Sequence, residues 1–215
     1  MRWGAGIIRT AYAAEQECAD VAAKRHQWRN WQTWLKPERL VFIDETSAER
    51  NIARLRGRRL KGHRLHAAIP WGHWKTTSFV AGLRTTGFTA PVVLDRAMNG
   101  LAFKAYVDQV LAPSLIPGDI VVMDDLSFHK VDGVRDAIET VGATSLYLPP
   151  HSPDVNPVEQ VFPRPKGMRS VKLKAILRRI AARTFDGIWR AIGDPSDHFT
   201  STECRNYFAN TDQSV

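Results

Sequence analysis

Cysteine is nearly missing from this chain, whose 215 residues hold only Cys18 and Cys204. A pair so far apart in the chain, with no second ligand pair at zinc spacing, argues against a disulfide-stapled scaffold and against a structural zinc site. Both cysteines read as small packing residues. His63, His66 and His73 do not stand at the i, i+4 spacing of a helical zinc site. HExxH, the nucleophile elbow and the Walker phosphate loop are absent. No apolar run approaches the roughly 18 residues of a membrane span, and Met1-Arg2-Trp3-Gly4 leads into no signal-peptide core. The expectation is a cytoplasmic protein with no membrane partner.

Acidic residues are missing as well, but only locally. Arg50 to Lys75 carries eight Lys/Arg and no Asp or Glu, and Gln160 to Arg183 repeats that pattern. The formal charge of +8 is therefore segregated, since outside these windows 14 of the 30 basic residues face all 22 acidic ones. Two basic strips suit a polyanion laid along them. Arg58, Arg59, Lys61, Lys75, Lys130, Lys166, Arg169 and Lys172 are the candidate contacts.

Three acidic residues stand out in what is present. Asp44 in VFIDET and Asp124 in IVVMDDLSFHK each close a short apolar, β-branched run, which reads as a buried strand ending at its polar edge. Glu159, in PPHSPDVNPVEQ, lies just inside a helix start, with Asn156 as N-cap and Pro157 at the first helical position. From that third position its carboxylate either bonds back to the Asn156 backbone N–H or aims outward at a metal. Carboxylates gathered from separate elements can hold Mg²⁺ or Mn²⁺ for in-line attack on phosphodiesters. His129 and Lys130 follow Asp124 closely and either order the loop, touch a phosphate or simply open a helix.

With 44% hydrophobic residues the chain can bury a core. Its periodicity predicts a helix over 13–35, closed by Lys36-Pro37, in which Trp28, Trp31 and Trp34 form a stripe packed against the domain, with base stacking as the minor reading. Strands are expected at 40–43, 66–69, 76–83 and 88–94, pairing antiparallel across short connections. A helix then opens at Asn99-Gly100 and ends before Pro113. Residues 120–123, an amphipathic helix through Val131, Val134, Ile138 and Val141, and 145–148 form a β-α-β crossover. The result is an α/β fold, three antiparallel strands followed by a parallel β-α-β unit, flanked by helices.

VFIDET, GHWKTTSFVAGLR, VVMDDLSFHK and LYLPPHSPDVNPVEQ resemble the signature blocks of bacterial insertion-sequence transposases of the mariner-like D-D-E superfamily. The resemblance covers roughly residues 14–209. It implies a ribonuclease H-like catalytic domain (39–195) between an N-terminal helix and linker (1–38) and a C-terminal helical tail (196–215). It also implies a metal-binding triad of Asp44, Asp124 and Glu159, two divalent ions, and cutting of transposon-end DNA with transfer of the 3′-hydroxyl to target DNA. A nuclease of the same fold and a DNA-binding remnant are the alternatives. Asp125 stands where the family pattern has Asn, which leaves the second ligand open between neighbours, and strand alternation favours Asp124. Only 43 residues precede Asp44, so the family's helix-turn-helix region is expected either on a separately encoded partner, normally joined by frameshifting, or lost by truncation, with a homodimer and association with the nucleoid as further implications. Pro163 and Pro165 should kink or stop the helix that carries Glu159 within two turns, and hold that carboxylate loosely.

Overall fold

The computed structural model describes residues 14–49, 76–161 and 199–212. Strand 66–69, both basic windows apart from Gln160 and Val161, and the two prolines after Glu159 lie outside them. Helix α1 (Ala19–Gln32) is followed by β1 (Leu40–Glu49), β2 (Thr76–Arg84), β3 (Gly87–Leu94), α2 (Gly100–Tyr106) and α3 (Ala112–Ser114). Next come β4 (Ile120–Met123), α4 (Val134–Thr140), β5 (Thr144–Tyr147) and α5 (Ser201–Asp212).

One sheet runs in the order β3-β2-β1-β4-β5, antiparallel through the first three strands and parallel through the last three. This is the mixed sheet expected of a ribonuclease H-like core. Side-chain alternation sorts its residues onto two faces. Leu40, Phe42, Phe79, Ala81, Leu83 and Val122 meet Trp28 of α1, Phe199, Cys204 and Phe208 at α5, and Val155, Val158 and Val161. Val41, Ile43, Val80, Val121 and Met123 meet Phe103, Tyr106, Leu111, Val134 and Ile138 on the opposite side.

Four expectations are corrected. Asp44 lies in the middle of a ten-residue strand rather than at its end, because pairing with β2 continues from Phe42 to Glu49. Pairing with β4 stops at Phe42, so Asp44 lies beyond the end of that ladder only. The tryptophans do not form one buried stripe. A three-residue step turns about 300° around a helix, so successive side chains drift by about 60°. Trp28 is 3% exposed while Trp31 and Trp34 are 50% and 86% exposed. Helix α2 does not stop before Pro113, since a π turn over Val107–Leu111 carries the chain into α3. There Ala112 N–H reaches back to Val107 O, a wider turn that accommodates a residue without an N–H of its own. Finally, Cys204 packs in the core as expected, but Cys18 is exposed.

Candidate active site

Asp44 lies on β1 and Asp124 directly follows β4, its parallel neighbour. The register pairs Leu40 with Ile120 and Phe42 with Val122, and the same offset of 80 separates the two aspartates. Both share parity with Phe42 and Val122, which face α1, and Asp44 is itself buried. Opposite Asp44 is Ala81 of β2, where the register between β2 and β3 slips. The bulge coincides with Ala90, at a φ of 50°, and with Pro91 on an edge strand, where a missing N–H is tolerated.

Burial dominates the electrostatics of Asp44. Its carboxyl is held well above the ordinary carboxylate range, first by burial and then by the fields of Glu159, Glu45 and Asp124. The Glu45 N–H, which donates to Oδ1 at 2.8 Å, opposes this, and Asn156 Nδ2 donates to Oδ2 at 3.2 Å. Acidic groups crowding one buried carboxyl, with no ammonium or guanidinium among its bonded partners, suit a cation bound between them. As they stand, no three His, Cys, Asp or Glu side chains among the described residues are grouped closely enough to hold an ion.

Asp124, directly after β4, is held by His129. Nδ1 of that fully buried ring stands 2.6 Å from Asp124 Oδ1, and Leu126 N–H donates to the same oxygen at 3.2 Å. His129 Nε2 lies 3.3 Å from Glu45 Oε2, an ion-pair distance at which the geometry falls short of a hydrogen bond. Burial pulls the imidazole toward neutrality, but the contacts with Asp124 and Glu45 outweigh it and hold its pKa at about 9. Asp125 instead forms an ion pair with Lys130, whose ammonium lies over the Tyr147 ring. Lys130 is thus the one candidate DNA contact among the described residues, and it is engaged with a carboxylate.

Glu159 sits on a short 3-10 turn, Pro157–Gln160, capped by Asn156, whose Oδ1 accepts from Val158 N–H at 3.1 Å. The Asn156 N–H goes to Pro153 O at 3.3 Å, so the reciprocal cap is not what occupies it. Asp124, Asp125, Asn156 and Glu159 line one cleft of about 240 Å³ with Leu126 and the 148–153 turn. His151 in that turn has a φ of 54°, the kind of backbone strain that a packed site can hold in place.

Two features of the site escaped sequence reasoning. Asn156 was legible as a cap, but its second bond, to a strand residue 112 positions earlier, has no local signal. Likewise α1 is tied to this turn through Arg25, bidentate to Asp154 at 2.9 and 2.5 Å and bonded to Ser152 Oγ at 2.7 Å, and the 3-10 turn before α1, Ala14–Glu17, is tied to it through Gln16, which donates to His151 O.

A family model described as DDE superfamily endonuclease matches residues 39–170, well over half of the chain. No curated protein matches. Among solved structures, the mariner Mos1 paired end complex with Mg aligns over 100% of this chain and 65% of that chain, with 14% identity and a TM-score of 0.67. The Mos1 strand transfer complex aligns over 100% and 67%, with 15% identity and a TM-score of 0.55. The Mos1 paired-end complex with left transposon end aligns over 99% and 67%, with 16% identity and a TM-score of 0.53. The chain therefore spans about two thirds of the length of these proteins and shares their fold over that length.

Proposed function

Because the chain belongs to the DDE superfamily endonucleases, we propose that it is a transposase catalytic domain that cuts transposon-end DNA and joins the freed 3′-hydroxyl to target DNA. The observation that carries this reading is geometric: Asp44 on β1 and Asp124 just after β4 stand at the same offset on neighbouring parallel strands, and Asp124 lines one cleft with Glu159. Asp44 would lie between the other two ligands, with Asp124 on one side and Glu159 on the other. When bound there, two Mg²⁺ or Mn²⁺ ions supply an activated water or 3′-hydroxyl and stabilise the leaving oxygen. In each step one P–O bond forms as another breaks in line.

The protein's own work is orientation. Asn156 and the Glu45 N–H fix both oxygens of Asp44. His129 fixes one oxygen of Asp124. Pro157 and the Asn156 cap start the turn that presents Glu159. Such constellations work only when held to within about 0.5 Å, so these supports matter as much as the carboxylates. The DNA partners are transposon ends and target, and the basic windows outside the described residues are the proposed phosphate contacts. A homodimer, a separately encoded helix-turn-helix partner and a place at the nucleoid complete the proposal.

The test uses the full chain with supercoiled plasmid and a DNA oligonucleotide ending in a recessed 3′-hydroxyl, with Mg²⁺, Mn²⁺ or chelator. Metal-dependent nicking together with joining of the oligonucleotide, both lost in Asp44→Asn, is the expected result. Nicking without joining would reduce the reading to a nuclease. Nicking that survives Asp44→Asn would remove the triad from it.

A further inference from the structure

Lys24, Gln27, Trp28 and Trp31 stand at i, i+3, i+4 and i+7 on α1 and therefore share one helix face. That face forms one wall of a pocket of about 210 Å³ whose other wall is Asp125, Tyr147, Leu148, Pro149 and Pro150. Four of these residues, Asp125, Leu148, Pro149 and Pro150, also line the carboxylate cleft, so the two cavities meet along a shared wall. The volume falls below the roughly 300–1,000 Å³ of a site for a drug-sized molecule and suits a single flat ring.

One observation points to a ligand here. Trp31 is half exposed on this wall, an indole face offered to solvent beside a site that handles DNA. Trp28 is almost fully buried behind it, packed into the core with its indole N–H closed off from the cavity. The Arg25 contacts with Asp154 and Ser152 fix the helix against the turn, so the pocket is built before any ligand arrives.

We propose that this pocket receives one unpaired base of the DNA strand that crosses the carboxylate cleft, stacked on Trp31. The inference rests on the DNA-transposing reading above and adds to it a subsite for a nucleotide next to the scissile phosphate. Every base has a π face, so the site is tolerant of sequence and selects for an unstacked nucleotide rather than for its identity. Lys24 at the rim supplies a cation for the neighbouring phosphate, and the Gln27 amide is placed to bond a base edge. Trp34, 86% exposed, is not part of this wall.

The test compares the affinity of the full chain, in chelator, for a blunt duplex and for the same duplex with a short single-stranded flank carrying 2-aminopurine at its first unpaired position. The flanked duplex should bind more tightly and its 2-aminopurine emission should be quenched on binding. Trp31→Ala should lower the flanked-to-blunt affinity ratio about 5- to 100-fold, toward one, and abolish the quenching, while Trp31→Phe should keep most of both. Trp31 is half exposed, so loss of the fold does not explain such a result. An unchanged ratio, equal losses on both duplexes or a change of oligomeric state without a change of ratio would each overturn the pocket. Blunt-duplex binding and metal-dependent nicking report on the broader reading, so either idea can fail without being mistaken for the other.

Discussion

The two faces of the sheet are closed by different physics. On the face of α2 and α4, Val41, Ile43, Val121 and Met123 press against Phe103, Leu111, Val134 and Ile138, all of them essentially without exposure. The face under α1 and α5 has an apolar layer too, but its upper end is tied down by Arg25 with Asp154, Asn156 with Asp44, and Gln160 Nε2 donating to Tyr207 O. Burial holds the first face whatever the pH, whereas the second depends on the charge and geometry of a few polar groups. A site that must gather carboxylates cannot be closed by apolar packing alone, because buried carboxylates without partners are costly.

The largest effect should come from the apolar face. Leu111→Ala should cost about 2–5 kcal/mol in denaturant unfolding, the transfer energy plus the cavity that a buried leucine leaves. Arg25→Ala should cost about 1–2 kcal/mol, since its partner Asp154 is partly solvated. DNA nicking at matched folded fraction should reverse that order and fall more in Arg25→Ala. Equal loss of nicking in the two variants would show that both faces serve the site alike.

His129 sharpens the comparison because it belongs to both faces. Its ring packs 4.4 Å from Phe103 and 4.5 Å from Phe128 by centroid, while its nitrogens meet Asp124 and Glu45. Its folded pKa of about 9 lies above the ordinary histidine value. A raised histidine contributes stability that is full below about 6.5 and disappears as pH rises through the folded value. In metal-free buffer the protein should lose on the order of 2–3 kcal/mol between pH 6.5 and 9.5, and His129→Gln should flatten that limb. A flat profile in the unsubstituted protein would mean that the imidazole is neutral in the fold.

The apolar face and the strand order were legible because their signals are local: unbroken apolar runs in 40–43 and 120–123, and helical periodicity from Phe103 to Leu111. Strand ends were less legible. Whether β1 stops at Ile43 or runs to Glu49 depends on how far β2 accompanies it, which is a tertiary matter. The tryptophan stripe failed on geometry, since spacing by threes imitates a face for one step and then leaves it. At the site, the sequence words around Asp44, Asp124 and Glu159 were legible, and so was the Asn156 cap. The long-range bonds that orient them were not, because nothing local in Arg25 or Asn156 announces a partner more than a hundred residues away.

The smallest effect in energy is the most informative about the polar face, and it concerns Asp44. Its folded carboxyl titrates well above the ordinary range, chiefly through burial and then through Glu159, Glu45 and Asp124. The folded state therefore keeps a proton that the unfolded chain releases near pH 4, so stability falls as pH rises from there toward the folded value. At neutral pH and without metal, Asp44 is a net cost to the fold. Asp44→Asn keeps the volume and an acceptor for Glu45 N–H and removes that cost, offset in part because its amide then faces the Asn156 Nδ2 donor, so the variant should melt about 2–4 °C higher, as a net of roughly 1 kcal/mol gives in a chain of this size. Added Mg²⁺ or Mn²⁺ should narrow the gap, because ions that bind only the folded, charged site stabilise the unsubstituted protein by mass action and do little for the variant. Metal-dependent nicking should be lost at the same time. A variant that melts lower in chelator would mean that the carboxylate is well satisfied in the fold, and that crowding does not govern this site.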